Sequence, residues 1–193
     1  MTPPQRIFFT GVPGSRWSGI AQTLESMPYF NTTDRTRERE YLHNGFTGHK
    51  GAYFGRQMEF EAKLDADYID QAWATKSVGT KLVKSHDWAY SLDQIKSTFL
   101  NDWIMLVYRD NSASFAWWKE AGGWAIKYPS YLAYQNDTIM AREIAWQNTA
   151  IRTFAERQGL LWTNFNSSWI KEHFDMDVKV ERTWPDIFVT ILK

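Results

Sequence analysis

Ile7-Phe8-Phe9-Thr10-Gly11-Val12-Pro13-Gly14-Ser15-Arg16-Trp17-Ser18-Gly19-Ile20-Ala21 is the stretch around which this chain is organised. The apolar run Ile7-Phe8-Phe9 leads into a Gly/Pro-rich turn, and Gly19 to Leu24 then carries the spacing of a helix start. The order is strand, turn, helix. An anion belongs at such a turn, because a helix start presents backbone N–H groups without intrahelical acceptors and the positive end of its dipole. Glycines let the backbone approach closely, and Arg16 and Ser18 add a charge and a hydroxyl. The phosphate-loop spacing G-x-x-x-x-G-K-[ST] is not met. Counted from Gly11, Arg16 and Trp17 stand where Gly and Lys belong, and only Ser18 is in register. An ordinary strand-to-helix connection fits the same letters equally well.

With 193 residues, 44% of them hydrophobic, and only six prolines, the chain is expected to form a single domain over 1–193. Its 22 basic and 22 acidic side chains cancel, which disfavours nucleic acid or an anionic membrane as partner and restricts any anion site to a local basic cluster. Without cysteine there is no disulfide framework, thiolate metal site or Cys nucleophile. The polar start Met1-Thr2-Pro3-Pro4-Gln5-Arg6 is unlike a signal peptide, and no apolar stretch is long enough to span a bilayer. A soluble, cytoplasmic protein is the expectation. Several of the 11 Trp lie among polar residues, where they line a binding surface or else complete a core.

Beyond the first helix, read over 17–27 and ended by Pro28, Thr32 to Glu40 is polar, with Glu38-Arg39-Glu40 as a solvated face. Gly45 to Phe60 interleaves four glycines with aromatic and basic residues and reads as a long shaped loop, the wall or cover of a site. A helix is expected near 65–74. Lys81 to His86 reads as a buried strand, and since residues two apart on a strand face the same way, Lys84 and His86 are expected to point at one site. A helix over 91–99 and the apolar strand Trp103 to Tyr108 follow, and the next helix is capped by Asp110 or Ser112. Gly122-Gly123 breaks it, before an aromatic loop through Trp124, Tyr128, Pro129, Tyr131 and Tyr134. The longest helix is read from Asp137 to Gln158 with Gly159 at its stop. Strands over 160–165 and 188–192 flank a short helix capped at Ser167-Ser168.

Strands separated by helices predict an α/β fold, a central, mainly parallel sheet flanked by helices in three layers. Ligands in such sheets bind beyond the carboxyl ends of the strands, and Arg16, Lys84, His86 and Arg109 all fall there. Taken singly, Lys84 and Arg109 read as surface charges and His86 as a structural donor. As a set they suit a small ligand with two phosphate-like groups.

The turn Thr10 to Ser18, then Lys84-Ser85-His86, then Tyr108-Arg109-Asp110 resembles the sulfotransferases that use 3′-phosphoadenosine 5′-phosphosulfate (PAPS), in order and in spacing. The resemblance implies a three-layer P-loop-type fold and a PAPS-dependent sulfotransferase acting on a small-molecule or carbohydrate acceptor without a metal. It implies that Pro13, Gly14, Ser15, Arg16, Trp17 and Ser18 hold the 5′-phosphosulfate, that Lys84 contacts the transferring group, that His86 is the base and that Arg109 binds the 3′-phosphate. The chain departs from the family in three places. Gly14 stands where a Lys or Arg follows the Pro, leaving Arg16 as the loop cation. Trp117 occupies the family's second 3′-phosphate position, leaving Ser112 or Ser114 as substitutes. No Arg-Lys-Gly run occurs near the C-terminus, where Lys179 or Arg182 is the replacement.

An acceptor alcohol needs a base near it, which imidazole supplies at neutral pH, and Glu59 is a second candidate. Arg16, Lys84 and the loop amides are the groups that would stabilise the leaving nucleotide. Two other readings stand beside this one. A nucleotide kinase or NTPase would need Mg²⁺, with Asp110 drafted to hold it, and a non-catalytic nucleotide- or carbohydrate-binding module would account for the departures.

Overall fold

Every residue of β1 (Arg6–Gly11) is buried, because the strand has a parallel neighbour on each side and helices on both faces. The computed structural model describes residues 4–34, 41–43, 46–49, 51–75, 78–126 and 131–193. β4 (Lys81–Lys84) pairs with β1 so that Ile7 lies opposite Leu82, and β5 (Trp103–Arg109) pairs on the other side with Phe8 opposite Ile104. β7 (Ile187–Leu192) runs antiparallel to β5, and the two-residue β6 (Thr163–Asn164) antiparallel to β7. The sheet order is β4-β1-β5-β7-β6. The fold is therefore α/β with a mixed five-strand sheet, parallel at its centre.

Alternation along β1 divides the core. Ile7 and Phe9 face α1 (Trp17–Glu25) and α7 (Ser167–Phe174), where they join Ile20, Leu24, Trp169 and Ile170. Phe8 faces the opposite layer, made by α3 (Leu92–Thr98), α4 (Asn111–Glu120) and α6 (Asp137–Arg157), with Ile95, Trp118, Ile144 and Ile151 among its partners. α6 is capped by Asn136, whose side chain accepts from the Ile139 amide, and it stops before Gly159 at φ +65°. Asp110, rather than Ser112, caps α4 by accepting from the Ser112 and Ala113 amides. α7 is capped by Asn166 instead of Ser167.

Several expected elements are shortened or redirected. A hairpin of β2 (Tyr41–His43) and β3 (Phe46–His49) occupies part of the expected loop, because antiparallel pairing satisfies its backbone groups locally. The helix expected over 65–74 is the five-residue α2 (Ala66–Asp70). Trp124 lies in a 3₁₀ turn and Tyr131–Tyr134 forms α5, while Tyr128 and Pro129, like Glu38-Arg39-Glu40, lie outside the described residues. The strand expected over 160–165 shrinks to β6, with Leu161 exposed. No helix among the described residues is long and apolar enough to cross a membrane.

The reversed direction of β7 has consequences for the site. α7 returns the chain to the amino edge of the sheet, where a parallel strand would begin at once, whereas an antiparallel one is entered from the carboxyl edge. Residues 175–186 therefore climb from Phe174, packed on Trp103 at the start of β5, to Ile187, opposite Arg109 at its end.

A charge cluster closes the opposite edge. Arg6 holds Asp70 with two nitrogens at 2.9 Å each and Asp102 at 2.9 Å, and Lys81 reaches Asp70 at 3.0 Å, all of them nearly buried. Removing one partner strands the others away from water. Asp70→Ala is expected to lower unfolding free energy by about 3–5 kcal/mol in equilibrium urea denaturation, and a loss below about 1 kcal/mol, the range of exposed pairs, would show the cluster to be solvated.

Candidate functional site

A cavity of about 530 Å³ opens at the carboxyl edge of β1 and β4, lined by Pro13, Gly14, Arg16, Trp17 and Ser18 of the turn. Its other walls come from residues 53–58, from α4 through Trp117 and Trp118, from α5, and from residues 178–184. The segment read from sequence as a wall supplies one in its second half, through Tyr53, Phe54, Gly55, Arg56 and Met58.

The turn is held from both sides. Inside it, the Ser15 amide and hydroxyl both donate to the Val12 carbonyl, at 3.0 and 2.7 Å, so this buried serine builds the loop rather than facing the cavity. Gly14 has φ +79° and sits so close to α4 that a Cβ would meet the Ser114 carbonyl at 1.9 Å, which demands glycine. Arg16 has left-handed φ 61°, and its carbonyl accepts from the Gly19 and Ile20 amides to start α1. α1 has neither a side-chain cap nor an acidic residue in its first turn, so its positive end stands open on the cavity. The Arg16 guanidinium lies 3.2 Å from the ring centre of Trp117 and 5.6 Å from that of Trp184. Burial, then Arg109 and Arg182, lower its pKa to about 10. Lys179 and Arg182 also line the cavity, and neither is in an ion pair among the described residues.

His86 lines the same cavity. Its Nδ1 is in a short contact with the Gly11 carbonyl, and its ring centre lies 4.1 Å from that of Trp17. A carbonyl only accepts, so Nδ1 carries the proton and Nε2 keeps a lone pair. Burial lowers the imidazole pKa to about 4, which keeps it neutral through the physiological range.

Five residues are placed otherwise than the sequence reading expects. Lys84 does not point with His86 into the cavity. β4 ends at Lys84 and a 3₁₀ turn, Asp87–Tyr90, begins right after His86, so strand alternation does not carry from one to the other. The buried Lys84 ammonium meets Glu25 at the end of α1 at 2.5 Å and lies 5.3 Å from the Tyr53 ring. Arg109 does not line the cavity either. It pairs with Asp186 at 2.7 Å and donates to the Gly14 carbonyl at 3.2 Å. Ser112 donates to Asp110, and the buried Ser114 donates to the Arg109 carbonyl, both behind the loop. Glu59 is not among the cavity-lining residues.

The sequence reading missed a polar group beside His86. Arg56 reaches Asp87 at 3.0 Å, Glu143 at 2.8 Å and the Tyr134 hydroxyl at 3.1 Å, and the Tyr90 hydroxyl donates to Glu143 at 3.0 Å. Glu143 carried a legible signal, a carboxylate three residues after Met140 on the buried stripe of α6. Arg56 carried none, because its partners come from other elements.

Comparison of the chain with family models, curated proteins and solved structures finds no match.

The low pKa of His86 links pH to stability. Unfolded, the imidazole returns to about 6.5, so between there and about 4 the unfolded chain binds the extra proton. This contribution to stability is complete above about 6.5 and is lost as pH falls toward 4. Urea midpoints are expected to decline over that window in the native protein and less steeply in His86→Gln. Parallel declines would mean that the ring titrates normally in the folded state.

Proposed function

We propose that the chain is a sulfotransferase that moves a sulfuryl group from PAPS to a hydroxyl or amine of a small-molecule or carbohydrate acceptor, with His86 as the base. One observation carries the reading: an imidazole whose Nδ1 is tied to the Gly11 carbonyl lies in the same cavity as the open positive end of α1.

The residues suit the phosphosulfate end of the donor. The first amides of α1, the Ser18 hydroxyl and Arg16 line the place where such an anion would lie. They do not suit the family's arrangement for the 3′-phosphate, because Arg109 is spent on the Gly14 carbonyl and Asp186, Ser112 on the Asp110 cap of α4, and Ser114 on the Arg109 carbonyl. Lys179 and Arg182, on the segment that β7 pulls across the cavity, are the cations that take that part. Lys84, paired with Glu25, has no direct part in this proposal.

When bound, the donor supplies the sulfuryl group, its S–O bond to phosphate breaking as a new S–O or S–N bond forms at the acceptor. The Nε2 lone pair of His86 takes the acceptor proton. Charge growing on the departing phosphate is met by the α1 amides and Arg16, whose positions the turn fixes before reaction. Trp17, packed on the imidazole, holds its plane.

A second reading, a binding module without turnover, draws on one observation: the cations that the resemblance would place on the donor, Lys84 and Arg109, are paired with Glu25 and Asp186.

Three measurements test the proposal. 3′-Phosphoadenosine 5′-phosphate should bind more tightly than 5′-AMP, by the roughly 1.5–3 kcal/mol of charge-assisted contacts. Lys179→Ala with Arg182→Ala should erase that preference, and equal affinity in the native protein would remove the 3′-phosphate site. His86→Ala should slow single-turnover transfer by about two to four orders of magnitude with nucleotide affinity nearly unchanged, and a fully active variant would take His86 out of the mechanism. Binding by the native protein with no sulfated product would establish the second reading.

A further inference from the structure

Arg16 leaves the turn from a left-handed backbone, φ 61°, and its side chain crosses to α4, where the guanidinium carbon Cζ lies 3.2 Å from the ring centre of Trp117. That distance fixes the orientation. The guanidinium nitrogens stand about 1.3 Å from Cζ, the length of a delocalised C–N bond, so any of them tilted toward the ring would press into it. The group therefore lies flat on the indole. Its N–H donors share its plane and point past the rim of the ring, and both residues line the cavity. A second indole, Trp184 of the segment before β7, lies 5.6 Å from the same cation.

The same face of α4 holds the backbone of the turn. Ser114, Trp117 and Trp118 are spaced three and four apart, and a Cβ on Gly14 would meet the Ser114 carbonyl at 1.9 Å and the Trp118 Cβ at 3.0 Å. Trp118 belongs to the core, whereas Trp117 is half-buried and stands outside the core that the described residues assemble. Its ring serves the cation rather than the packing of the core. Lys84 and Arg109 are held in another way, each by a carboxylate, Glu25 or Asp186, that cancels its charge. For Arg16, burial and the cations Arg109 and Arg182 disfavour the charge by more than Glu120 and Asp186 favour it. An indole face attracts a desolvated cation without cancelling it, so the charge stays available to an anion.

From these observations we infer that Trp117 is a positioning residue for the anion: it holds the Arg16 guanidinium flat, its N–H edge ready for an oxyanion at the start of α1, and makes the turn depend on arginine rather than lysine. An ammonium has no plane to stack and no fork to present. The inference rests on the proposed function for Arg16 as an anion ligand, whereas the pairing is defined by its own two residues.

The test is a double-mutant cycle read by binding of inorganic pyrophosphate, which needs neither nucleotide nor acceptor. In calorimetric titrations of the purified chain, with each variant confirmed as folded by its melting temperature, Trp117→Leu should weaken pyrophosphate about tenfold, as loss of a partly desolvated cation–π contact would. Trp117→Phe should restore most of that loss. Arg16→Lys should cost as much as Trp117→Leu although it keeps the charge. In an Arg16→Ala background, Trp117→Leu should cost nothing further, because a residue that acts through Arg16 has no effect without it. A residue that only supports the fold would cost the same in both backgrounds. The stack also has a signature in the ligand-free protein: the ring current of Trp117 should shift the Arg16 Nε–H resonance upfield, and that shift should vanish in Trp117→Leu and largely remain in Trp117→Phe. Equal costs in the two backgrounds, full affinity in Arg16→Lys, or no pyrophosphate binding by the native chain would overturn the inference. A chain in which the cycle couples but which transfers nothing from PAPS loses the proposed function and keeps Trp117 in its role. A chain whose transfer from PAPS is unchanged in rate and affinity by Trp117→Leu does the reverse.

Discussion

The guanidinium of Arg109 is held between the Gly14 carbonyl and the Asp186 carboxylate, and both walls of the cavity at the start of α1 depend on it. Gly14 belongs to the turn after β1, Asp186 to the segment that enters β7, and Arg109 itself closes β5, so three stretches distant in sequence meet at one cation. Arginine suits the task because its planar fork serves a carboxylate and a carbonyl at once and stays charged. With the turn pinned from outside by Arg109 and from inside by Ser15, Arg16 can occupy a left-handed backbone conformation that residues with a Cβ ordinarily avoid.

The turn in its turn positions the imidazole. The Gly11 carbonyl, at the last residue of β1, is the partner of His86 Nδ1, so the tautomer is set by the same strand end that begins the turn. Burial then keeps the ring neutral. This is a coupling of fold to chemistry, since a shift of the turn would move the helix start and the imidazole together.

Two cations that a reading by strand ends places on a ligand are instead used by the fold. Lys84 is buried against Glu25 and Tyr53, and a lysine there without its carboxylate would be a charge stranded from water. The positive field in the cavity comes from elsewhere, from Arg16 and from Lys179 and Arg182 on a segment with no regular structure. Direction decides this: because β7 is antiparallel, the chain must pass over the carboxyl edge of the sheet just before it enters the strand.

By itself the sequence determined the elements whose signal is local. β1, β5 and β7 were legible as apolar runs, α3 and α6 as periodic stretches, with Gly159 as the stop of α6, and the start of α4 from its Asp110 cap, because burial and backbone capping act within a few residues. It also determined that a turn suited to an anion follows β1 and that His86 lies near it. Only the tertiary structure decided which way β7 runs, which cations face the cavity and which are consumed by Glu25 and Asp186, and that Arg56, Asp87 and Glu143 form one group. The reason is that a side chain's charge is written at its own position, whereas the partner that cancels or preserves it arrives from another element.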